Sequence, residues 1–186
     1  MNREQRTHAD APEARQRPES GEGDVVVRRA RHADAAAAVD CVRRSIEQSC
    51  SADHHEDPPT LAAWLSNKTP ANFIAWLDNP ENHCVIAERK GRLCGVGLLH
   101  RSGKIRLFYI EPGSQRHGAG RAIHVALERQ AHVWKLPRLH LDSTANARAF
   151  YEALGYHHDG PARMRVGVLQ CFPYEKRFAD ASSMAG

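Results

Sequence analysis

Gln115-Arg116-His117-Gly118-Ala119-Gly120-Arg121 stands between an apolar run and a long amphipathic pattern. Before it, Ile105-Arg106-Leu107-Phe108-Tyr109-Ile110 is rich in β-branched and aromatic residues and closes at Pro112-Gly113, which predicts a strand and its stop. After it, Ile123, Ala126, Leu127, Ala131 and Trp134 recur at helical spacing. The two glycines therefore fall in the first turn of a helix, where the leading N–H groups have no intrahelical partner. Glycine lets an anion approach the backbone closely, and the helix dipole adds about half a positive charge there. The stretch predicts a phosphate socket, although a tight turn alone also accounts for two glycines. The Gly-Lys-Ser/Thr ending of a P-loop is absent, as is the third glycine of a dinucleotide fingerprint. What remains is a loop of the form Gln/Arg-x-x-Gly-x-Gly/Ala.

Working outward, 186 residues with 41% apolar content suit one domain with tails. The formal charge is +4, and residues 1–24 hold four arginines against six carboxylates, so the cationic excess lies in the remainder. It is too diffuse for a nucleic-acid surface. No apolar run is long enough for a membrane span or a signal peptide, which predicts a soluble, cytoplasmic chain with no membrane partner. Cys41, Cys50, Cys84, Cys94 and Cys171 are odd in number and lack a Cys-x-x-Cys pair, which predicts reduced thiols.

Residues 1–24 lack periodicity and aromatic side chains and are expected to be a disordered tail, followed by one domain over 25–180 and a short tail at 181–186. Val25-Val26-Val27-Arg28 reads as a strand and Asp34 as the N-cap of a helix whose stripe is Ala35, Ala38, Val39, Val42 and Ile46. Ser51 to Pro59 breaks the pattern, and short helices are expected to start near Thr60 and near Thr69-Pro70. Cys84 to Glu88 and Leu93 to Leu99 form a predicted hairpin around Arg89-Lys90-Gly91-Arg92. Arg138 to Leu141 reads as a strand, Ala145 to Leu154 as a helix stopped by Gly155, and Val166 to Leu169 and Phe172 to Phe178 as last strands. The class is α/β with a mixed sheet.

The loop at 115–121, with its preceding apolar-Tyr-apolar-x-Pro strand, resembles the acyl-CoA pyrophosphate loop of the GNAT superfamily of N-acetyltransferases. A second carrier is Ser143 to Tyr156: Ala147, Tyr151 and Gly155-Tyr156 are similar to the family's helix of Ala, Tyr four residues later and a Gly-aromatic end. The likeness spans residues 25–178. It implies the GNAT fold, a mostly antiparallel central sheet flanked by helices, with a splayed strand pair that takes the acyl-CoA.

The resemblance further implies acetyl-CoA as cosubstrate, with its pyrophosphate on the backbone of Gln115, Arg116, His117, Gly118, Ala119, Gly120 and Arg121. Phe108 and Ile110 would pair with the pantetheine arm, Phe108 would offer an oxyanion N–H, and Phe150 would join Tyr151 among the cofactor contacts. Tyr151 matches the tyrosine placed by the sulfur. Where many members carry Asn at the helix start, this chain has Thr144, with Asn146 two residues later, and either could touch the cofactor.

An amine attacking a thioester forms a tetrahedral intermediate with an anionic oxygen and a departing thiolate, so a donor near each lowers the barrier. A tyrosine of pKa about 10 can serve a thiolate whose parent pKa is about 8.5. The family's early strand glutamate falls here on Lys104. The base is left among Asp53, His54, His55, Glu56 and Asp57, on the side where the family receives its acceptor, and Glu88. The same five-residue cluster has ligand chemistry, yet adjacent loop histidines lack the spacing of a zinc site, so a solvated polar loop and no metal are expected. Two functions stay open: an N-acetyltransferase acting on a primary amine of a small molecule, amino acid or peptide, and a noncatalytic acyl-CoA sensor. The acidic loop leans toward polycationic acceptors. The oligomeric state is open, a homodimer included.

Overall fold

The computed structural model describes residues 25–179. The tails expected at 1–24 and 181–186 lie outside the described residues. Strands β1 (Val25–Arg29), β2 (Asn82–Arg89), β3 (Arg92–His100) and β4 (Ile105–Ile110) form an antiparallel sheet in that order. In a second sheet β8 (Leu169–Arg177) lies between β5 (Arg138–Ser143) and β6 (His157–His158), and β7 (Arg163–Val166) pairs with its beginning. The sheets touch at one parallel bridge, Lys104 with His140, where the His140 N–H donates to the Gly103 carbonyl at 2.9 Å. Beyond that bridge β4 and β5 separate. This is the α/β, mostly antiparallel architecture with a splayed strand pair.

Local chemistry explains the elements. The β2–β3 turn places Lys90 and Gly91 at φ 51° and 71°, the left-handed pair of a tight hairpin. Helices α1 (Ala35–Arg44), α3 (Pro58–Leu65) and α4 (Pro70–Asp78) cover one face of the first sheet, burying Val39, Val42, Ile46 and Phe73. Helix α5 (Ala119–Val133) covers the other with Ile123, Leu127 and Ala131. It comes close because β3 carries glycine there: a Cβ on Gly97 would stand 2.4 Å from Ile123 Cγ2. Among the described residues no helix is long and apolar enough to cross a membrane, and all five cysteines are free.

Several expectations need correction. Asp34 stands at the N-cap of α1 as expected, but its side chain makes no capping bond there. It accepts from the Arg31 N–H at 2.7 Å and pairs with Arg28, because a 3₁₀ turn (His32–Asp34) comes first. The α1 stripe runs on through a π-helical stretch, Ser45–Ser49. The break expected from Ser51 holds a short helix, α2 (Ser51–His54), and α3 starts at Pro58, ahead of Thr60, because Asp57 caps it. The helix expected over Ala145 to Leu154 is regular only over α6 (Arg148–Glu152). Gly167 at φ 50° and Val168 turn the chain inside the strand expected at Val166 to Leu169, creating the β7–β8 hairpin.

Candidate active site

The gap between β4 and β5 opens into a cavity of about 820 Å³. One end is the glycine loop. A 3₁₀ turn at Pro112–Ser114 leads through Arg116 at φ 62° to Gly118, the N-cap of α5, at φ 86°. A Cβ on Gly118 would meet nothing within 4 Å, so glycine answers the backbone conformation here and the space outside it is open. The amides of Ala119, Gly120 and Arg121 begin the helix and have no carbonyl one turn back. Gln115, Arg116, Gly118, Gly120 and Arg121 line the cavity; Ala119 is buried beneath it. The exposed His117 ring is turned to its own loop, Nδ1–H donating to the Gln115 carbonyl at 2.7 Å. It and Ala119 offer backbone only.

Phe108, Ile110, Phe150 and Tyr151 form the next wall. Phe108 lies 5.5 Å from the Phe150 ring and 5.8 Å from that of Tyr151. Just past β4, the Glu111 N–H donates to Cys94 on β3. Backbone groups alternate sides along a strand, so the N–H groups of Phe108 and Ile110 point away from β3, into the gap. Tyr151 is 6% exposed, and among the described residues no protein group hydrogen-bonds its hydroxyl. Burial, with Tyr109 and Cys50 nearby, pushes that hydroxyl above the usual tyrosine range. Both Thr144 and Asn146 line the cavity. Asn146 is committed to protein: its side-chain amide donates to the Ser49 carbonyl at 2.7 Å and its N–H to Asp53.

The remaining wall comes from residues that no motif marked. The π-helical stretch turns Ser45 and Ser49 to the cavity, with Cys50 following. Ser49 also holds the Gln115 side chain at 2.8 Å. Trp64 of α3 donates to the Tyr109 hydroxyl at 3.3 Å, and Lys68 and Arg165 complete this side. Burial pushes Cys50 up to about 12, so its thiol stays protonated at neutral pH.

None of the expected bases lines the cavity. Asp53 and His54 are buried, against the solvated loop expected: the chain reverses at His55 and Glu56, φ 51° and 56°, which folds α2 back on the body. Asp53 accepts from Asn146, the His54 ring accepts from the Glu56 N–H, and Asp57 caps α3. Glu88 is paired with Arg28 on the far strands. In place of the acidic loop expected, Lys68 and Arg165 line this side of the cavity. Its carboxylate, Asp142, is paired with Lys104 at 2.8 Å and with Arg165 at 3.4 Å.

Residues 47–178 match a family model described as an acetyltransferase (GNAT) domain. Among solved structures the chain is similar to a GCN5-related N-acetyltransferase from Rhodopseudomonas palustris, at 24% identity and TM-score 0.73 over 82% of this chain and 95% of that one. It is also similar to the PaiA N-acetyltransferase of Thermoplasma acidophilum, solved with coenzyme A, at 14% identity and TM-score 0.72 over 83% and 99%. A ribosomal-protein-alanine N-acetyltransferase from Brucella melitensis follows at 20% identity and TM-score 0.65 over 82% and 99%. No curated protein matches in sequence. At such identities the solved structures speak for the fold, and the domain match carries the assignment: the chain belongs to the GNAT family of acetyl-CoA-dependent N-acetyltransferases.

Proposed function

We propose that the protein transfers an acetyl group from acetyl-CoA to a primary amine by direct attack within the β4–β5 cavity. The observation that carries this is a convergence. The α5 N-terminus opened by Gly118, the outward N–H of Phe108 and the Tyr151 hydroxyl all face one cavity. Acetyl-CoA supplies the activated acetyl group as a thioester. The amides from Gln115 to Arg121, with Arg116 and Arg121, suit its pyrophosphate. The free edge of β4 suits the amides of its pantetheine arm. The Phe108 N–H is aimed where the carbonyl oxygen gains charge, and Tyr151 keeps its proton for the leaving sulfur. Thr144, whose hydroxyl has no protein partner among the described residues, is the better cofactor contact than Asn146.

No histidine or glutamate faces the cavity. The cationic wall offers another way to a neutral nucleophile, because positive charge around an ammonium lowers its pKa and favours loss of its proton to water. The unpartnered Tyr151 hydroxyl favours a catalyst over a sensor, since a sensor has no use for a proton donor there. Calorimetric titration of acetyl-CoA tests the site. Wild type should bind, and Gly118→Asp, which sets a carboxylate at the anion socket, should bind at least tenfold more weakly. An amine screen following free-thiol release tests turnover, and thiol release with no amine would leave the protein outside the transferases.

A further inference from the structure

Five cationic side chains line the cavity, Lys68, Arg106, Arg116, Arg121 and Arg165, against the single carboxylate of Asp142. Arg116 and Arg121 belong to the glycine loop and are accounted for by a pyrophosphate. Lys68 and Arg165 are not. They come from elements on the other side, Lys68 just past the end of α3 and Arg165 from β7.

Lys68 is 8% exposed, and among the described residues its ammonium donates only to neutral acceptors, the Trp64 carbonyl at 3.3 Å and the Asn67 side-chain oxygen. A buried cation without a counter-charge is costly, and a lysine stem is long enough to reach water when nothing holds it inside. Arg165 shares Asp142 with Lys104, which holds that carboxylate more closely. Burial and the Arg165 charge bring Lys68 down to about 8, so it is still largely cationic at neutral pH and feels its neighbour. The elements that carry the two cations are joined directly. The Val168 N–H at the tip of the β7–β8 hairpin donates to Thr60 Oγ1 of α3 at 3.1 Å, locking hairpin to helix. Trp64 and Tyr109 add an aromatic flank.

We propose that the acceptor is an amine bearing an anionic group, a carboxylate or a phosphate, and that this anion sits between the Lys68 ammonium and the Arg165 guanidinium on the α3–β7 side of the cavity. The inference rests on the acetyltransferase reading and narrows its substrate class. The anion supplies the counter-charge that Lys68 lacks and that Arg165 only shares, and two cations on one side of the cavity set the distance from anion to attacking amine. It also selects against polyamines, which would set a second ammonium beside Lys68.

The test compares matched acceptors by thiol release: an amino carboxylate, an aminoalkyl phosphate, and the neutral amide or alcohol of the same skeleton. Wild type should prefer an anionic member over its neutral partner by about tenfold or more in kcat/KM, and which member wins separates carboxylate from phosphate. Lys68→Met, which keeps the buried stem, and Arg165→Gln should each erase most of that preference. Both should leave the calorimetric affinity for acetyl-CoA within about twofold. Lys68→Glu should turn the preference toward cationic amines. Equal use of charged and neutral acceptors by wild type, or a preference surviving both substitutions, overturns the proposal. A loss of acetyl-CoA affinity in Lys68→Met overturns it as well, by assigning that lysine to the cosubstrate. Absence of acetyl-CoA binding by wild type would remove the acetyltransferase reading itself, and this inference with it.

Discussion

Tyr151 shows how much one side chain can be asked to do. Its ring packs against Phe150, Phe108 and Tyr156, with centroids 5.3 to 5.8 Å away, while its hydroxyl has no protein partner among the described residues. Tyr151→Phe therefore keeps the packing and removes only the candidate proton donor. The melting temperature and acetyl-CoA affinity should hold, and kcat should fall about a hundredfold if the hydroxyl acts as an acid. Single-turnover rates equal to wild type would exclude it from the chemistry. The turn at Gly118 was legible in the sequence from the strand, the glycines and the helix pattern around it, whereas Tyr151 and Phe108 were singled out by the resemblance. Lys68, Arg165 and the partnership of Trp64 with Tyr109 were not legible, because they meet only where a helix end, a hairpin and a strand converge. The run from Asp53 to Asp57 misled for a related reason. Polar composition predicts solvent, but the left-handed residues His55 and Glu56 fold α2 inward, leaving Asp53 to bind Asn146 and Asp57 to cap α3.

Helix α5 and the β7–β8 hairpin contribute different walls of the cavity, and each has a close contact that a single substitution can probe. The glycine loop is positioned by α5, which in turn lies on the glycines of β3. Gly97→Ala would drive a methyl into Ile123 and should cost about 1 to 3 kcal/mol of stability through overpacking. Because the helix N-terminus shifts with it, acetyl-CoA should bind more weakly, and Ile123→Ala in the same chain should recover part of both losses. Additive losses in that cycle, measured by denaturant unfolding, would show that the helix yields elsewhere. On the opposite wall, Thr60→Val removes the hydroxyl that accepts from Val168 and donates to Asp57. That change should raise KM for the acceptor several-fold and spare acetyl-CoA affinity; an unchanged acceptor KM would free the hairpin of that role. The β2–β3 hairpin and α5 were readable because period and turn chemistry agree there. The β7–β8 turn was not, since Gly167 lies inside an apolar run whose composition alone reads as strand. α6 came out short because Thr144 to Ala147 follow the cavity wall before regular helix begins.

The order of elements follows from the chain, whereas the parting of β4 from β5 came only through resemblance, since no residue period encodes where two sheets separate. The first sheet carries a core on each of its faces, one under α1 and α4 and a second under α5 that also takes in β5 and β8. The second contains a buried titratable group, His124 of α5, which is 1% exposed. Its Nε2 lies 3.1 Å from the Tyr156 hydroxyl and its Nδ1 3.4 Å from Glu128, which is itself paired with Lys176 at 2.6 Å. Burial, and then the charges of Lys176 and Arg121, outweigh Glu128 and hold the imidazole below its usual range. A histidine whose folded pKa lies below its unfolded value of about 6.5 makes the unfolded chain the better proton binder between the two. Stability then rises with pH across that window: the contribution is complete above about 6.5 and is lost as pH falls through the folded pKa. His83 and His140 are held low by burial too, so the acid slope of the wild type is a joint one. The melting temperature should fall gently from pH 8 to 7, where folded Lys68 takes up its proton, and more steeply below about pH 6.5. His124→Gln, which can still hydrogen-bond Tyr156, should start from a lower melting temperature at pH 8 and lose less on acidification. Parallel wild-type and variant curves between pH 7 and 5 would move the acid sensitivity off α5 and onto the two half-buried histidines of β2 and β5.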